Sequence, residues 1–211
     1  MHIPDGFISA PVATVGCVVA GGSVAYAVKT TKKEMGEKQI PLMGVLAAFI
    51  FAAQMLNFPI AGGTSGHFVG AALAAILLGS WRGILIMTCV LVIQCLVFQD
   101  GGLFAMGVNI LNMGIIASFV AHYIYRGSAL FGEGRKRKLI GGGLAAWFSV
   151  VIASIACAFE LAISGTVPLE ISLPSMVGIH AVIGIGEGLI TAAVLNLIMA
   201  TRADLLELQK A

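Results

Sequence analysis

Seven long apolar runs constrain the fold of this chain more than any other feature of its sequence. They lie at residues 8–29, 41–57, 67–79, 82–98, 103–125, 139–163 and 176–200. A helix needs about 20 apolar residues to cross the hydrocarbon core of a bilayer, and most of these runs have that length. Only 10% of the 211 residues are charged, against about 25% in soluble domains. The sequence therefore predicts an all-α integral membrane protein, with one domain over residues 1–211 and about seven transmembrane helices.

The third run, residues 67–79, is shorter than the others. Irregular or short segments at membrane depth are tolerated only where they line a cavity or are buried in protein, so they often mark binding sites. We expect a short helix that starts at His67, with a binding site at its outer end.

The basic residues predict how the bundle is oriented in the membrane. If all seven runs span it, every basic side chain falls on one side, and the loops at 56–66, 99–102 and 164–175 on the other side carry none. Lys and Arg accumulate in cytoplasmic loops. We therefore expect the amino terminus outside and the carboxyl terminus in the cytoplasm. The basic residues are Lys29, Lys32, Lys33, Lys38, Arg82, Arg126, Arg135, Lys136, Arg137, Lys138, Arg202 and Lys210.

The first residues form a candidate metal chelate, and residues 1–7 are interpreted as a metal-binding segment folded into the bundle. The amine of Met1, the backbone amide of His2 and the ring of His2 offer three nitrogens in small chelate rings near one plane. A fourth nitrogen completes a square, which suits Ni(II) or Cu(II) better than tetrahedral Zn(II). The alternative is that His2 lies in a frayed terminus.

The stretch from Gly62 to His67, Gly-Gly-Thr-Ser-Gly-His, offers the fourth nitrogen. It lies on the same predicted side as the amino terminus, which favours His67 as a ligand. Thr64 and Ser65 would cap the helix or orient a ligand. Asp5 and Asn109 are further candidates for supporting the ligands. The alternative for His67 is a helix start hydrogen-bonded to a neighbour.

Two polar residues of the last run are weaker candidates. His180 lies in its outer part and could add a ligand, although a lone histidine there is more often a core residue. Glu187 lies near the middle of the run among glycines, and its carboxylate needs a partner at membrane depth. A structural role is the more common one for such a group.

These two stretches resemble the CbiM/NikM family, the substrate-binding membrane (S) components of nickel and cobalt energy-coupling-factor transporters. The resemblance rests on Met-His-Ile-Pro-Asp-Gly at the start and Gly-Gly-Thr-Ser-Gly-His near residue 67, and it covers essentially the whole chain. It implies that the substrate is Ni(II) or Co(II). It also implies that the ligands are the Met1 amine, the amide and ring of His2, and His67.

The resemblance further implies partners and a location. An S component works in a prokaryotic cell membrane with a transmembrane coupling protein, cytoplasmic ATPase subunits and often a small accessory membrane subunit. Small residues on a helix face often contact the coupling protein, and Ala48 with Ala52, or Ala71 with Ala75, have the required spacing. Because this chain has no P-loop, ATP hydrolysis is expected on partner subunits. Nucleic acid is not expected among the partners.

Two other functions compete with that of a transport subunit. An intramembrane metalloenzyme would need a catalytic acid or base beside an open metal position. Asp5 and Glu187 are the only candidate carboxylates for that role. A self-sufficient metal channel or secondary transporter would need ionisable residues along a path, and the sequence shows no such series. Among metals, the four-nitrogen set favours nickel, with cobalt close behind.

Overall fold

The computed structural model describes residues 1–34 and 39–207, so Lys38 and Lys210 lie outside the described residues. Residues Phe58–Pro59 and Ser65–Gly66 form a two-residue antiparallel ladder. A π-helical segment covers Ile110–Ile116, and short 3-10 helices cover Ser128–Phe131 and Ala203–Glu207. The α-helices are α1 (Ala10–Glu34), α2 (Gln39–Gln54), α3 (Ala71–Leu78), α4 (Ser80–Phe98), α5 (Met106–Asn109), α6 (Ala117–Gly127), α7 (Arg135–Ile163) and α8 (Leu169–Thr201).

The predicted class, an all-α multi-pass membrane protein, is confirmed. Within the described residues, five helical stretches are long and apolar enough to cross a membrane: α1, α4, residues 106–131, α7 and α8. Helix α2, with 16 residues, is shorter. Helix α3 has eight residues, or about 12 Å of length, so the third predicted run is not a complete helical span.

Glycines allow the long helices to pack closely. A Cβ on Gly188 of α8 would lie 2.9 Å from the carbonyl oxygen of Gly143 in α7. A Cβ on Gly107 of α5 would lie 2.5 Å from the backbone of Cys17 in α1. In lipid, such close backbone approach replaces the hydrophobic driving force that packs soluble helices.

Helix α3 forms the centre of the bundle, and all eight of its residues are buried. Ala71 and Ala75 therefore cannot present a face to a partner protein, and their proposed partner role is wrong. Ala48 and Ala52 of α2 are exposed.

The segment before α3 is not helical, so the prediction that a helix starts at His67 is wrong. The backbone of Gly70 is left-handed, with φ of +80°, and α3 begins only at Ala71. Side chains of neighbouring helices bind the backbone groups of the segment: Gln54 donates to the Val69 carbonyl at 2.6 Å. Irregular backbone at this depth is stable because protein groups satisfy it.

Two other helix starts differ from the predicted runs. Helix α8 begins seven residues before residue 176, directly after Pro168 and with Pro174 in its second turn. Pro168 lies just before the first turn, where a missing N–H costs no helical hydrogen bond. Pro174 is the sixth residue of the helix, so the carbonyl of Glu170 lacks its usual helical donor. Helix α5 begins three residues after residue 103, because an aspartate side chain takes the N–H groups of residues 103–105.

Candidate metal centre

The amino terminus is buried, so the interpretation of His2 as part of a frayed terminus is wrong. Met1 is 0% exposed and His2 is 4% exposed. The side-chain amide of Asn109 binds the backbone of Ile3. Its Oδ1 accepts from Ile3 N at 2.9 Å, and its Nδ2 donates to Ile3 O at 3.1 Å. Gly102 N donates to the same carbonyl at 2.8 Å. Asn109 therefore positions the first three residues.

Asp5 fixes the turn that follows. Its carboxylate accepts from the backbone N–H groups of Leu103, Phe104 and Ala105, at 3.0, 2.8 and 3.3 Å. A side chain on Gly102 would collide with Asp5. Asp5 thus joins residues 1–7 to the loop between α4 and α5, and it acts as an anchor rather than as a metal ligand.

The Met1 amine lies against the segment before α3. It donates to the carbonyl oxygen of Ser65, contacts Ser65 Oγ at 3.0 Å and lies 2.8 Å from His67 Nε2. Two nitrogens that each bind one metal ion at about 2.0 Å and at a right angle are about 2.8 Å apart. The spacing therefore suits neighbouring ligands of one ion as well as a hydrogen bond.

The His67 ring is held so that its Nε2 faces the Met1 amine. His67 Nδ1 donates to the carbonyl oxygen of Phe68 at 2.7 Å. In a neutral ring this leaves Nε2 without a proton, which is the form that binds metals. The ring is 2% exposed and stacks on the His2 ring with centroids 4.5 Å apart.

The His2 ring has one free nitrogen, and it is the one that a chelate needs. His2 Nε2 pairs with Gln94 Oε1 at 3.0 Å, which places the ring proton on Nε2. Among the described residues, His2 Nδ1 is buried without a hydrogen-bond partner. A metal bound to the His2 amide and to its own ring closes a six-membered ring only through Nδ1. The unpartnered nitrogen therefore fits a terminal chelate.

Burial also sets the protonation of these groups. It lowers the pKa of the Met1 amine from 8.0 to about 5, and that of the His2 ring from 6.5 to about 3. Desolvation disfavours the charged forms. Both groups are therefore free bases at neutral pH, as metal coordination requires.

Ser65 contacts two of the candidate nitrogen ligands. Its Oγ accepts from the His2 backbone N–H at 3.0 Å and contacts the Met1 amine at the same distance. A metal bound to the deprotonated amide would lie in the direction of this N–H bond, so it would replace the hydrogen bond to Ser65. Thr64, by contrast, contacts Cys157 Sγ at 3.9 Å and Met176 Sδ at 3.8 Å and neither caps α3 nor reaches a ligand.

The two weaker candidates have structural contacts. His180 Nδ1 donates to Met176 O at 2.7 Å within α8. Glu187 accepts from Val69 N at 2.7 Å and from Gly70 N at 2.8 Å. Both oxygens of Glu187 are thus engaged by the backbone that follows His67, and this carboxylate positions that segment.

Sequence reasoning missed two residues that touch His2. These residues, Gln94 and Asp100, are not among the candidates that the sequence pattern indicates. Asp100 Oδ1 lies 3.4 Å from His2 Nδ1. The signals were a lone amide in the apolar run of α4 and an acid in an outer loop without basic residues.

The fold and this geometry define a class: a multi-pass helical membrane protein with a nitrogen-rich candidate site for a transition-metal ion at one end. Residues 2–205 match the family model described as CbiM, cobalt uptake substrate-specific transmembrane region. The chain belongs to the CbiM family. It is thus a transmembrane component of transition-metal uptake.

Relatives and solved structures agree with this assignment. A protein of Archaeoglobus fulgidus, provisionally named as a fused nickel transport protein NikMN, is 44% identical over all of this chain and 69% of its own length. The cobalt transport protein CbiM of Geobacter sulfurreducens is 30% identical over 98% of this chain and 61% of its own length. A crystal structure of a truncated transition metal transporter superimposes with a TM-score of 0.90 at 32% identity, covering 95% of this chain and 99% of that one.

Proposed function

We propose that this protein is the substrate-specific binding component of an ATP-driven importer of the energy-coupling-factor type, and that it captures Ni(II) or Co(II) outside the cell. The ligands are four nitrogens in a square plane: the Met1 amine, the His2 amide, His2 Nδ1 and His67 Nε2. The observation that carries this proposal is that, among the described residues, His2 Nδ1 is buried without a hydrogen-bond partner, beside an amine 2.8 Å from His67 Nε2.

Nickel is the preferred substrate in this proposal. Four nitrogens in a plane suit Ni(II), which lies above Co(II) in the affinity order of divalent ions. The names of the relatives include both nickel and cobalt transport proteins. Cu(II) would bind the same nitrogens, so selection against copper depends on metal availability as well as on the site.

Movement of the ion requires partner subunits in this proposal. A transmembrane coupling protein and cytoplasmic ATPases supply the energy, together with a small accessory membrane subunit in some systems. The exposed face of α2 that contains Ala48 and Ala52 is the surface proposed for the coupling protein, because small residues allow close helix approach in lipid.

The test compares nickel binding by purified protein with a free amino terminus and with a retained formyl group on Met1. A formylated amine cannot coordinate, so we expect the yellow absorption of square-planar nickel from the free form only. His67→Ala should leave a three-nitrogen site of lower affinity. His122→Ala is the matched control, because His122 lies in α6 at the other end of the bundle, and this variant should bind like the parent.

A second measurement tests transport. Cells that express the chain with its coupling and ATPase partners should accumulate nickel, and a catalytically inactive ATPase should abolish uptake. Equal nickel absorption by the free and formylated proteins would rule out the terminal chelate. Uptake by this chain without partners would favour the channel or secondary-transporter alternative.

A further inference from the structure

A partly exposed acidic side chain lies beside the ring nitrogen Nδ1 of His2. Asp100 lies in the loop between α4 and α5, and its side chain is 18% exposed. Its Oδ2 accepts from Asn57 Nδ2 at 2.8 Å. Its Oδ1 lies 3.4 Å from His2 Nδ1, beyond the usual hydrogen-bond range of 2.7–3.2 Å. The carboxylate therefore reaches from water to a ligand atom.

Other carboxylates near the site are already engaged. The oxygens of Asp5 accept from three backbone N–H groups, and those of Glu187 accept from two. Within the described part of the chain, Asp100 Oδ1 and His2 Nδ1 face each other with no hydrogen bond between them. With the ring proton on Nε2, both atoms are electron-rich, which is an arrangement that a cation stabilises.

The net charge of the proposed complex also favours a carboxylate beside His2 Nδ1. A divalent ion and one deprotonated amide leave a single positive charge, because the amine and both rings are neutral. A buried charge is costly unless it is paired. A carboxylate beside His2 Nδ1 makes the occupied site neutral without adding a ligand to the four nitrogens.

Capture of a hydrated ion also favours a carboxylate at this position. Ni²⁺ releases its water slowly, so the rate of capture depends on how long the hydrated ion stays at the entrance. A partly exposed negative charge raises the local concentration of a dication and loses this effect as salt is added.

We propose that Asp100 is the entry carboxylate of the metal site. It holds the hydrated divalent cation at the entrance, passes it to His2 Nδ1, and remains beside that nitrogen as the counter-charge of the occupied site. This role rests on the proposed function, because it requires that the terminal chelate binds the ion.

The test is the rate of nickel association with purified protein, followed by absorbance after rapid mixing at low and high salt. Asp100→Asn keeps the shape of the side chain and removes its charge. We expect association about tenfold slower at low salt, a weaker dependence on salt, and an unchanged nickel spectrum at saturation. An association rate and salt dependence equal to those of the parent would overturn the proposal.

Two further variants separate charge from loop structure. Glu133→Gln removes one negative charge from an exposed position in the loop before α7 and should keep the parent rate. Asn57→Ala removes the hydrogen bond to Asp100 but not the charge, and it should keep the salt dependence. If Asn57→Ala instead lost the salt dependence as Asp100→Asn does, loop anchoring would be the cause and the proposal would be wrong.

The same experiment separates this inference from the proposed function. If the parent protein shows no nickel absorbance, the terminal chelate itself fails and the role of Asp100 fails with it. If the parent binds nickel and Asp100→Asn binds at the same rate, only the role of Asp100 fails.

Discussion

Hydrogen bonds decide which ring nitrogen of each histidine is available to a metal ion. Gln94 takes Nε2 of His2, and the Phe68 carbonyl takes Nδ1 of His67. The two rings therefore present different nitrogens, Nδ1 from His2 and Nε2 from His67. Such outer contacts fix the tautomer and orientation of a ligand, and their loss commonly lowers metal affinity by about 10- to 100-fold.

The first residue-scale prediction concerns protons. Because burial lowers the pKa of the Met1 amine to about 5, the amine is already neutral at pH 7, and only the His2 amide must lose its proton. We expect about one proton released per nickel ion near pH 7. Calorimetric titrations in buffers of different ionisation enthalpy measure this number.

The pH dependence has a definite sign. As the pH falls, protons compete with the metal for the amide, and below pH 5 they also compete for the amine, so affinity should fall more steeply there. Release of two protons near pH 7 would show that the amine keeps its ordinary pKa, contrary to the prediction.

The second residue-scale prediction concerns Glu187. Glu187→Gln leaves one side-chain oxygen as acceptor for two buried N–H groups. Its NH2 group would then face the second N–H group, which is also a donor. We expect a loss of about 1–3 kcal/mol in stability and about tenfold weaker nickel binding, because Val69 and Gly70, two and three residues after His67, would no longer be held. Thermal unfolding and nickel titration in detergent measure the two effects.

Glu170→Gln provides the control for this change. Glu170 is exposed in the first turn of α8, so its substitution removes the same charge from the same helix and should alter neither quantity by much. Parent-like affinity in Glu187→Gln would mean that the backbone around residue 69 is fixed without this carboxylate.

At the scale of elements, the site is assembled from segments that are not helical. Residues 1–7, the segment before α3 and the loop between α4 and α5 meet at one end of the bundle. Asp5 joins the first of these segments to the third, and Asn109 joins the first segment to α5. The helices supply rigid supports, and the irregular segments supply the nitrogens.

The element-scale prediction uses Gly102, where the third segment passes closest to the first. Gly102→Ala would push its Cβ into Asp5, and overpacking of this kind costs about 1–3 kcal/mol. We expect lower stability and weaker nickel binding, because the amino terminus would be displaced from His67. Thermal unfolding measures the stability, and nickel titration in detergent measures the binding.

Gly178→Ala is the matched control. A Cβ at Gly178 of α8 would meet no atom within 4 Å, so this variant should be as stable as the parent. If Gly102→Ala bound nickel as tightly as Gly178→Ala, the packing between the first and third segments would not determine the geometry of the site.

At the scale of the whole molecule, charge sets the orientation. Arg135 pairs with Asn196, and Arg137 lies over the Tyr125 ring, so basic residues cluster where α6, α7 and α8 meet away from the amino terminus. Basic loops stay in the cytoplasm, which predicts that the candidate metal site faces outside.

Fusions after Ala211 test this orientation. A fluorescent protein that folds only in the cytoplasm should be bright there, whereas alkaline phosphatase, which needs an oxidising compartment, should be inactive. Replacing the basic residues at 135–138 with glutamine should lower the fluorescence by weakening the orientation signal. An active phosphatase on the unmodified chain would invert the topology and place the site in the cytoplasm.

The class of fold and the first candidates for the site follow from the amino-acid pattern alone. Apolar runs longer than a bilayer requires leave few alternatives to a helical membrane bundle, because backbone groups in lipid must be paired within the segment. Met1 and His2 are adjacent in the chain, so covalent bonds keep the Met1 amine close to the amide and ring of His2. Their capacity to chelate could therefore be predicted without a structure.

The geometry of the candidate site depends on long-range packing. Whether His67 meets the Met1 amine, where α3 starts and what Glu187 binds all depend on contacts between residues more than 60 positions apart. Local patterns do not encode such contacts. Asp100 and Gln94 lie beside His2 for the same reason. Only packing of the loops against the bundle brings these two distant side chains to the two nitrogens of the His2 ring.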